Sequence, residues 1–261
     1  MFKKVFVLRY VILFTTFFIF LSMNVEAQKI VTNGLVSYWT LDKDTVTANL
    51  VKDIVGKNNG KISGSPKVVA GKVKEGMEFD GVDDFLDCGT DESLNLTKAI
   101  TIETWVMPKE AGEGGKNAGP VCKAQSGAWG WQLRYNSPDN NYMGFQFNAG
   151  GSKWISVGQK LIPGEWYHIV GTYDGNEAKC YLNGVEKNKM NMPNINSTPD
   201  PFFIGQDGWV NVFNGVVDEV KIYNRALTKD EVLQNYNAKS QLAVEYNGKL
   251  SITWGEAKIK N

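Results

Sequence analysis

Residues 131–148 read Trp131-Gln-Leu-Arg-Tyr135, then Asn136-Ser-Pro-Asp-Asn-Asn141, then, after Tyr142, Met143-Gly-Phe-Gln-Phe-Asn148. Successive side chains of a strand point to opposite faces. Trp131, Leu133 and Tyr135 therefore share one side of the first segment, and Gln132 and Arg134 share the other. In the second segment Met143, Phe145 and Phe147 group together against Gly144, Gln146 and Asn148. Two alternating runs joined by turn residues predict an antiparallel pair with one buried and one polar face.

The same grammar extends in both directions. Gly34–Leu41, Met77–Phe79, Phe85–Cys88 and Ala99–Met107 precede the pair. Trp154–Val157, Trp166–Tyr173, Ala178–Leu182, Phe202–Ile204 and Phe213–Tyr223 follow it. Asp80-Gly81, Asp174-Gly175 and Asn183-Gly184 punctuate strand ends. Residues 110–119 are Gly-rich and polar and read as a loop. One helix stands out, because Thr228-Lys-Asp-Glu231 is a capping box followed by Val232, Leu233 and Tyr236. About a dozen strands and one short helix near the C-terminus predict an all-β sandwich of two antiparallel sheets.

The ends of the chain differ from this body. Lys3 and Lys4 precede the nearly apolar run Val11–Phe20, and Val25-Glu-Ala27 supplies small residues at a cleavage site. Residues 1–27 read as a secretory signal peptide, with an uncleaved anchor as the alternative. The domain is placed at 28–240. The tail, 241–261, has the pattern of a small hairpin about Asn247-Gly248, too little to be stable alone. Export places the protein at the cell surface, in the periplasm or in the medium, with no membrane span left after cleavage.

The whole chain carries 28 basic and 28 acidic residues; the leader takes Lys3, Lys4, Arg9 and Glu26 with it, leaving a formal charge of −2. No basic run is present, which argues against a nucleic-acid partner. Cys88, Cys122 and Cys180 lack metal-type spacing and read as buried small hydrophobes, a bridge being the alternative.

Several motifs occur in a fixed order: Gly-Leu-Val-Ser-Tyr-Trp-Thr-Leu-Asp42, Phe79-Asp-Gly-Val-Asp-Asp-Phe85, Ile100-Thr-Ile-Glu-Thr-Trp-Val106, Gly164-Glu-Trp-Tyr-His-Ile-Val-Gly-Thr-Tyr-Asp-Gly175, Tyr181-Leu-Asn-Gly184, Phe203-Ile-Gly205 and Val217-Asp-Glu-Val-Lys-Ile-Tyr-Asn-Arg-Ala-Leu227. Together, over about residues 34–238, they resemble the LamG-like jelly-roll domains of the concanavalin A-like lectin/glucanase superfamily, common in exported bacterial proteins. The resemblance implies a curved two-sheet sandwich, usually with a Ca2+ site, serving as a carbohydrate-binding or adhesive module. It does not name a ligand, since one fold hosts many functions.

Four aspartates crowd into residues 79–89, and like charges in one place need an offset. Calcium takes six to eight hard oxygens. The expected ligands are Asp42 after the opening strand and Asp218 in the closing one, with carbonyls around Gly64 and with Asp84 as a further ligand. First and last strands of a sandwich can be neighbours, which would bring Asp42 and Asp218 together. The competing reading is that Asp80 and Asp83 serve the turn itself.

A glycan site needs aromatic platforms and planar polar groups. Gln132, Arg134, Gln146 and Asn148 supply the second on the polar, concave face. Trp129, Trp154 and Trp209, with Gly or Ser close by in the chain, supply the first, and Gln206 and Asp207 extend the rim. The reading is a non-catalytic lectin-like module whose partner is a polysaccharide or glycan, including one on a surface glycoprotein. A protein-binding adhesion module and a glycoside hydrolase are the alternatives. Against the hydrolase, the sequence holds no Glu-x-Asp-x-Glu run of the kind that would pair acids on one face of a strand. Glu103 has Thr101 and Trp105 on its own side, and Asp218 and Glu219, being adjacent, are expected to face opposite ways. His168, the one histidine, reads as structural.

Overall fold

The computed structural model describes residues 29–109, 118–124, 130–135, 142–209 and 211–238. In chain order the strands are β1 (Leu35–Trp39), β2 (Leu50–Val51), β3 (Gly60–Ser63), β4 (Lys67–Ala70), β5 (Glu75–Asp80), β6 (Phe85–Asp87), β7 (Ile100–Pro108), β8 (Val121–Lys123), β9 (Trp131–Tyr135), β10 (Tyr142–Asn148), β11 (Ser152–Lys160), β12 (Tyr167–Tyr173), β13 (Glu177–Leu182), β14 (Val185–Asn191), β15 (Phe202–Ile204) and β16 (Asn214–Tyr223). One α-helix, α1 (Lys229–Asn237), follows. The reading of residues 1–27 as a leader and of 241–261 as a hairpin lies outside the described residues.

Two eight-stranded antiparallel sheets result. The first runs β14-β13-β12-β7-β16-β5-β4, with β1 also paired to β16; the second runs β11-β10-β9-β8-β15-β6-β3-β2. Opening and closing strands are thus neighbours, with Trp39 opposite Val220. The all-β jelly-roll sandwich expected from the turn and strand pattern is the observed architecture. The excess over a dozen strands comes from short or polar segments such as β2, β8 and β14.

Period-2 alternation builds the core. Trp131, Leu133, Phe145 and Phe147 from the second sheet meet Trp39, Phe79, Ile102 and Val106 from the first. Phe202 links the layers, with its ring 5.3 Å from Trp39 and 5.5 Å from Trp131. Close-packed aromatic contacts of this kind contribute beyond their buried area.

The outer face of the first sheet is partly covered. Val232 of α1 packs on Val170, Tyr181 and Tyr223, with Val31 and Leu227. The helix starts as the sequence predicts: Thr228 Oγ1 accepts from Glu231 N and the Glu231 carboxylate accepts from Thr228 N. A cap of this type stabilises a helix by about 1 kcal/mol. Arg225 then clasps Glu231 with two bonds of 2.7 and 2.8 Å. Leu233, expected on the apolar stripe, is instead exposed.

Beneath the helix lies a buried polar network. Lys221 Nζ stands 3.3 Å from Glu103 Oε1 and 3.0 Å from Glu219 Oε2. Asn235 Nδ2 donates to Glu103 Oε2 at 2.6 Å, and Tyr38 Oη donates to Glu219. His168 is fully buried, with Nε2 3.3 Å from Glu103 Oε1 and its ring against Trp105. Its structural role follows from this burial. Glu219 has φ 55°, at a bulge where the pairing with β7 shifts between Asp218 and Lys221. The bulge corrects one expectation: Asp218, Glu219 and Lys221 all lie on the helix side, because the extra residue breaks the alternation.

Candidate functional site

The helix α1 covers part of the first sheet, and the outer face of the second carries the expected glycan-site residues. The strand registers place one residue per strand in a continuous row: Trp154 opposite Gln146, Gln146 opposite Gln132, Gln132 opposite Cys122, Cys122 opposite Phe203, Phe203 opposite Asp87, and Asp87 opposite Lys61. The row crosses the strands at right angles. Three residues expected at the site, Gln132, Gln146 and Trp154, are consecutive in it.

Those residues form a hydrogen-bonded rail. Cys122 Sγ lies 3.1 Å from Gln132 Oε1, Gln132 Nε2 donates to Gln146 Oε1 at 2.9 Å, and Gln146 Nε2 donates to Ser152 Oγ at 2.9 Å. Each carboxamide has two donor hydrogens and two acceptor lone pairs. One of each is spent per glutamine, so the half-buried Gln146 keeps capacity for a ligand. Gln132 is only 1 % exposed and acts as the support for Gln146.

Trp154 closes the outer end of the rail, and Gly144 makes room for it. A Cβ on Gly144 would lie 2.9 Å from the indole Cζ2 and Cη2 and 2.2 Å from the Ile155 carbonyl oxygen. The half-buried indole thus settles onto bare backbone.

The inner end is roofed. Cys122 Sγ lies 3.1 Å from the Asp207 carbonyl, and burial pushes its thiol well above the usual range. Asp207, 2 % exposed, spends its Oδ1 on Trp209 N and Asn211 N. Gln206 bridges to Val212. Gly205, at φ 93°, bends this loop across Phe79, whose ring a Cβ would approach to 2.6 Å. Gln206 and Asp207 therefore shape the roof, and Trp209, 42 % exposed, sits on it. Arg134 is 8 % exposed, with Nε bonded to the Tyr135 carbonyl at 2.9 Å. Burial lowers its pKa and the nearby Asp207 opposes that. Asn148 closes the strand end, where its Oδ1 accepts from Gly151 N. Trp129 lies outside the described residues.

Cys122, Gly144 and Ser152 went unrecognised as site residues in the sequence. Only the register exposes them, since none is an unusual residue in its own segment.

The expected calcium ligands fall into two groups. Asp218 Oδ2 accepts from Lys72 N and Val73 N at 2.8 and 2.9 Å, and Asp42 Oδ1 accepts from Glu75 N at 3.1 Å. Both carboxylates thus grip the turn joining β4 to β5. Burial first, and then the Glu219 charge, pushes Asp218 up to about 8. Asp84 instead binds Ser65 N at 2.6 Å and Asp80 N at 3.2 Å, with Gly64 packed against its Oδ1. Glu75 and Asp80 are the two ends of β5, about 16 Å apart at the rise of a strand. Asp42, Gly64, Asp84 and Asp218 therefore do not surround one ion. The charge crowding of residues 79–89 is offset largely by main-chain N–H groups: Asp80 Oδ1 accepts from Val82 N and Asp83 N, and Asp87 Oδ1 from Gly89 N. Among the described residues, Asp80, Asp83 and Asp84 are the one acidic trio whose oxygens converge, within 4.8 Å.

A family model described as the concanavalin A-like lectin/glucanases superfamily matches residues 80–233. The chain belongs to that superfamily. Within it, this concanavalin A-like chain is similar to domain 4 of AbnA, a GH43 extracellular arabinanase from Geobacillus stearothermophilus, solved in complex with arabinotriose. The TM-score is 0.66 at 21 % identity, over 81 % of this chain and 100 % of that one. It is also similar to the binding domain of Paraclostridial Mosquitocidal Protein 1, with TM-score 0.64 and 18 % identity over 78 % of this chain and 52 % of that. Trypanosoma rangeli sialidase gives TM-score 0.59 and 17 % identity, over 80 % of this chain and 33 % of that. At these identities the likeness is one of fold. No curated protein sequence matches the chain. All three cysteines of the concanavalin A-like domain are buried and free, as expected. Among the described residues no helix is long and apolar enough to cross a membrane.

Proposed function

We propose that the protein is an exported, non-catalytic glycan-binding module that takes its ligand at the open end of the rail, on Trp154 and Gln146 with Ser152 and Asn148. The observation that carries this reading is the register-aligned run Trp154–Gln146–Gln132. An aromatic wall beside a pre-ordered planar amide is the combination that small-ligand sites use to fix orientation. The fold likeness to a domain solved with arabinotriose supports the reading without choosing the sugar. Against a hydrolase, the row carries one carboxylate, Asp87, whereas glycoside hydrolysis uses two.

Retention on immobilised polysaccharides, measured with Trp154→Ala and Gln146→Ala, tests the site. Loss of either contact weakens binding about tenfold, the equivalent of about 1.4 kcal/mol. Wild-type retention that both variants leave intact would remove the assignment. Release of reducing sugar would establish the hydrolase instead, and capture of a deglycosylated protein partner would establish the adhesion module.

Calcium enters this proposal as a stabiliser of the fold only. Its place is the corner of Asp80, Asp83 and Asp84 beside Gly64, where carboxylate oxygens converge.

A further inference from the structure

We infer that the glycan bound at this face is uncharged, an inference that rests on the glycan reading above. Among the described residues, every side chain at the open end of the rail is neutral: Trp154, Gln146, Ser152 and Asn148, with Ser156 opposite Gly144. Two charged groups lie near the rail's middle, and both are buried. Arg134 is 8 % exposed, bonds the Tyr135 carbonyl and has Asp207 as its electrostatic neighbour. Asp207 is 2 % exposed and is consumed by the N–H groups of its own loop.

The described charges of Lys153, Asp87 and Lys61 do not reach the site. Lys153 adjoins Trp154 in the chain but pairs with Phe147, a core residue, so it projects to the opposite side of the edge strand. Asp87 and Lys61 lie five and six strands from Trp154 along the row, about 24 and 29 Å at the spacing of paired strands. A uronate, sialate or sulfate placed on Trp154 would shed water and meet no counter-charge among the described residues, a loss that a neutral sugar avoids. The rail suits hydroxyl groups, which donate and accept in turn, as its amides do.

The test presents the full chain with two sets of probes at low and high salt. The neutral set is arabinan, xylan, galactan and mixed-linkage β-glucan; the anionic set is polygalacturonate, alginate and a sialyl-lactose conjugate. The inference expects retention of at least one neutral probe, at least tenfold above any anionic one, and changed less than about twofold by salt, because screening acts on charge pairs. It also expects Trp154→Ala to weaken that retention about tenfold. Binding confined to anionic probes, or anionic binding that salt disrupts, overturns the inference while leaving a glycan-binding module in place. Neutral binding that Trp154→Ala leaves unchanged overturns it too, since the sugar then sits elsewhere. Retention of neither set overturns the glycan reading itself.

Discussion

Replacing Lys221 by Met removes the cation placed between Glu103 and Glu219. Its side chain is 2 % exposed and those of the two acids are 0 % and 4 % exposed, so little water can take over the pairing. Methionine fills similar volume, so the main loss is electrostatic. Breaking a buried ion pair from one side costs about 3–5 kcal/mol. In a domain of this size each kcal/mol moves the melting midpoint by about 2–4 °C. The expected drop at neutral pH is therefore of the order of 10 °C. Acid gives a second readout. Burial alone would raise the Glu103 pKa, but Lys221, His168 and Asn235 outweigh it and hold it at about 2. Its folded value lies below the unfolded value of about 4.3. The wild-type gain is therefore present above about pH 4.3 and is lost as pH falls towards 2. In the variant this pull is absent, and protonation relieves the stranded acid. The gap between the two proteins should narrow from pH 7 to pH 3, and Glu103→Gln should restore part of the stability of Lys221→Met. Circular-dichroism melts at the two pH values decide the matter. A midpoint unchanged at pH 7, or a gap of equal size at pH 3, would refute the reasoning.

Three further outcomes are expected. Asp218→Asn keeps an oxygen for Lys72 N and Val73 N but removes an acid whose folded pKa, about 8, lies above its unfolded value. Asp218 therefore costs stability progressively as pH rises from about 4 to 8, and melts across that range should show the asparagine variant gaining on the wild type; a constant difference would contradict this. Calcium at the Asp80–Asp83–Asp84 corner should raise the midpoint, EDTA should lower it, and Asp84→Asn should abolish the response; a midpoint indifferent to EDTA removes the ion from the proposal. A thiol reagent should find no reactive cysteine in the folded protein and three after denaturation, since burial raises all three thiol pKa values.

The alternation in β9 and β10 is readable because an apolar side chain at every second position has one physical use in a sandwich, to fill the core. The capping box of α1 is readable for a similar reason, since both partners sit three residues apart. β14 escapes such reading: Val185-Glu-Lys-Asn-Lys-Met-Asn191 is an exposed edge strand with no buried face to impose a pattern. At the site, Gln132, Gln146 and Trp154 are legible as a polar face with an aromatic neighbour. That Gln132 and Arg134 are roofed is not, because the roof comes from a loop some seventy residues away. Asp42 and Asp218 show the same limit from another side. Asp218 accepts from the N–H groups of residues 72 and 73 and Asp42 from that of residue 75, groups that every non-proline residue possesses and no sequence motif announces. Glu219 adds a positive φ without glycine, so nothing in its identity warns that the strand slips there.

The covered face also determines where the protein can be tethered. Gln234 Nε2 bonds the Lys29 carbonyl, and Ile30 and Ala238 pack into one cluster with Tyr38. The described polypeptide thus enters and leaves the sandwich side by side, behind the layer that carries the rail. An attachment made beside Lys29 or Ala238 would therefore lie on the side of the first sheet, away from the rail.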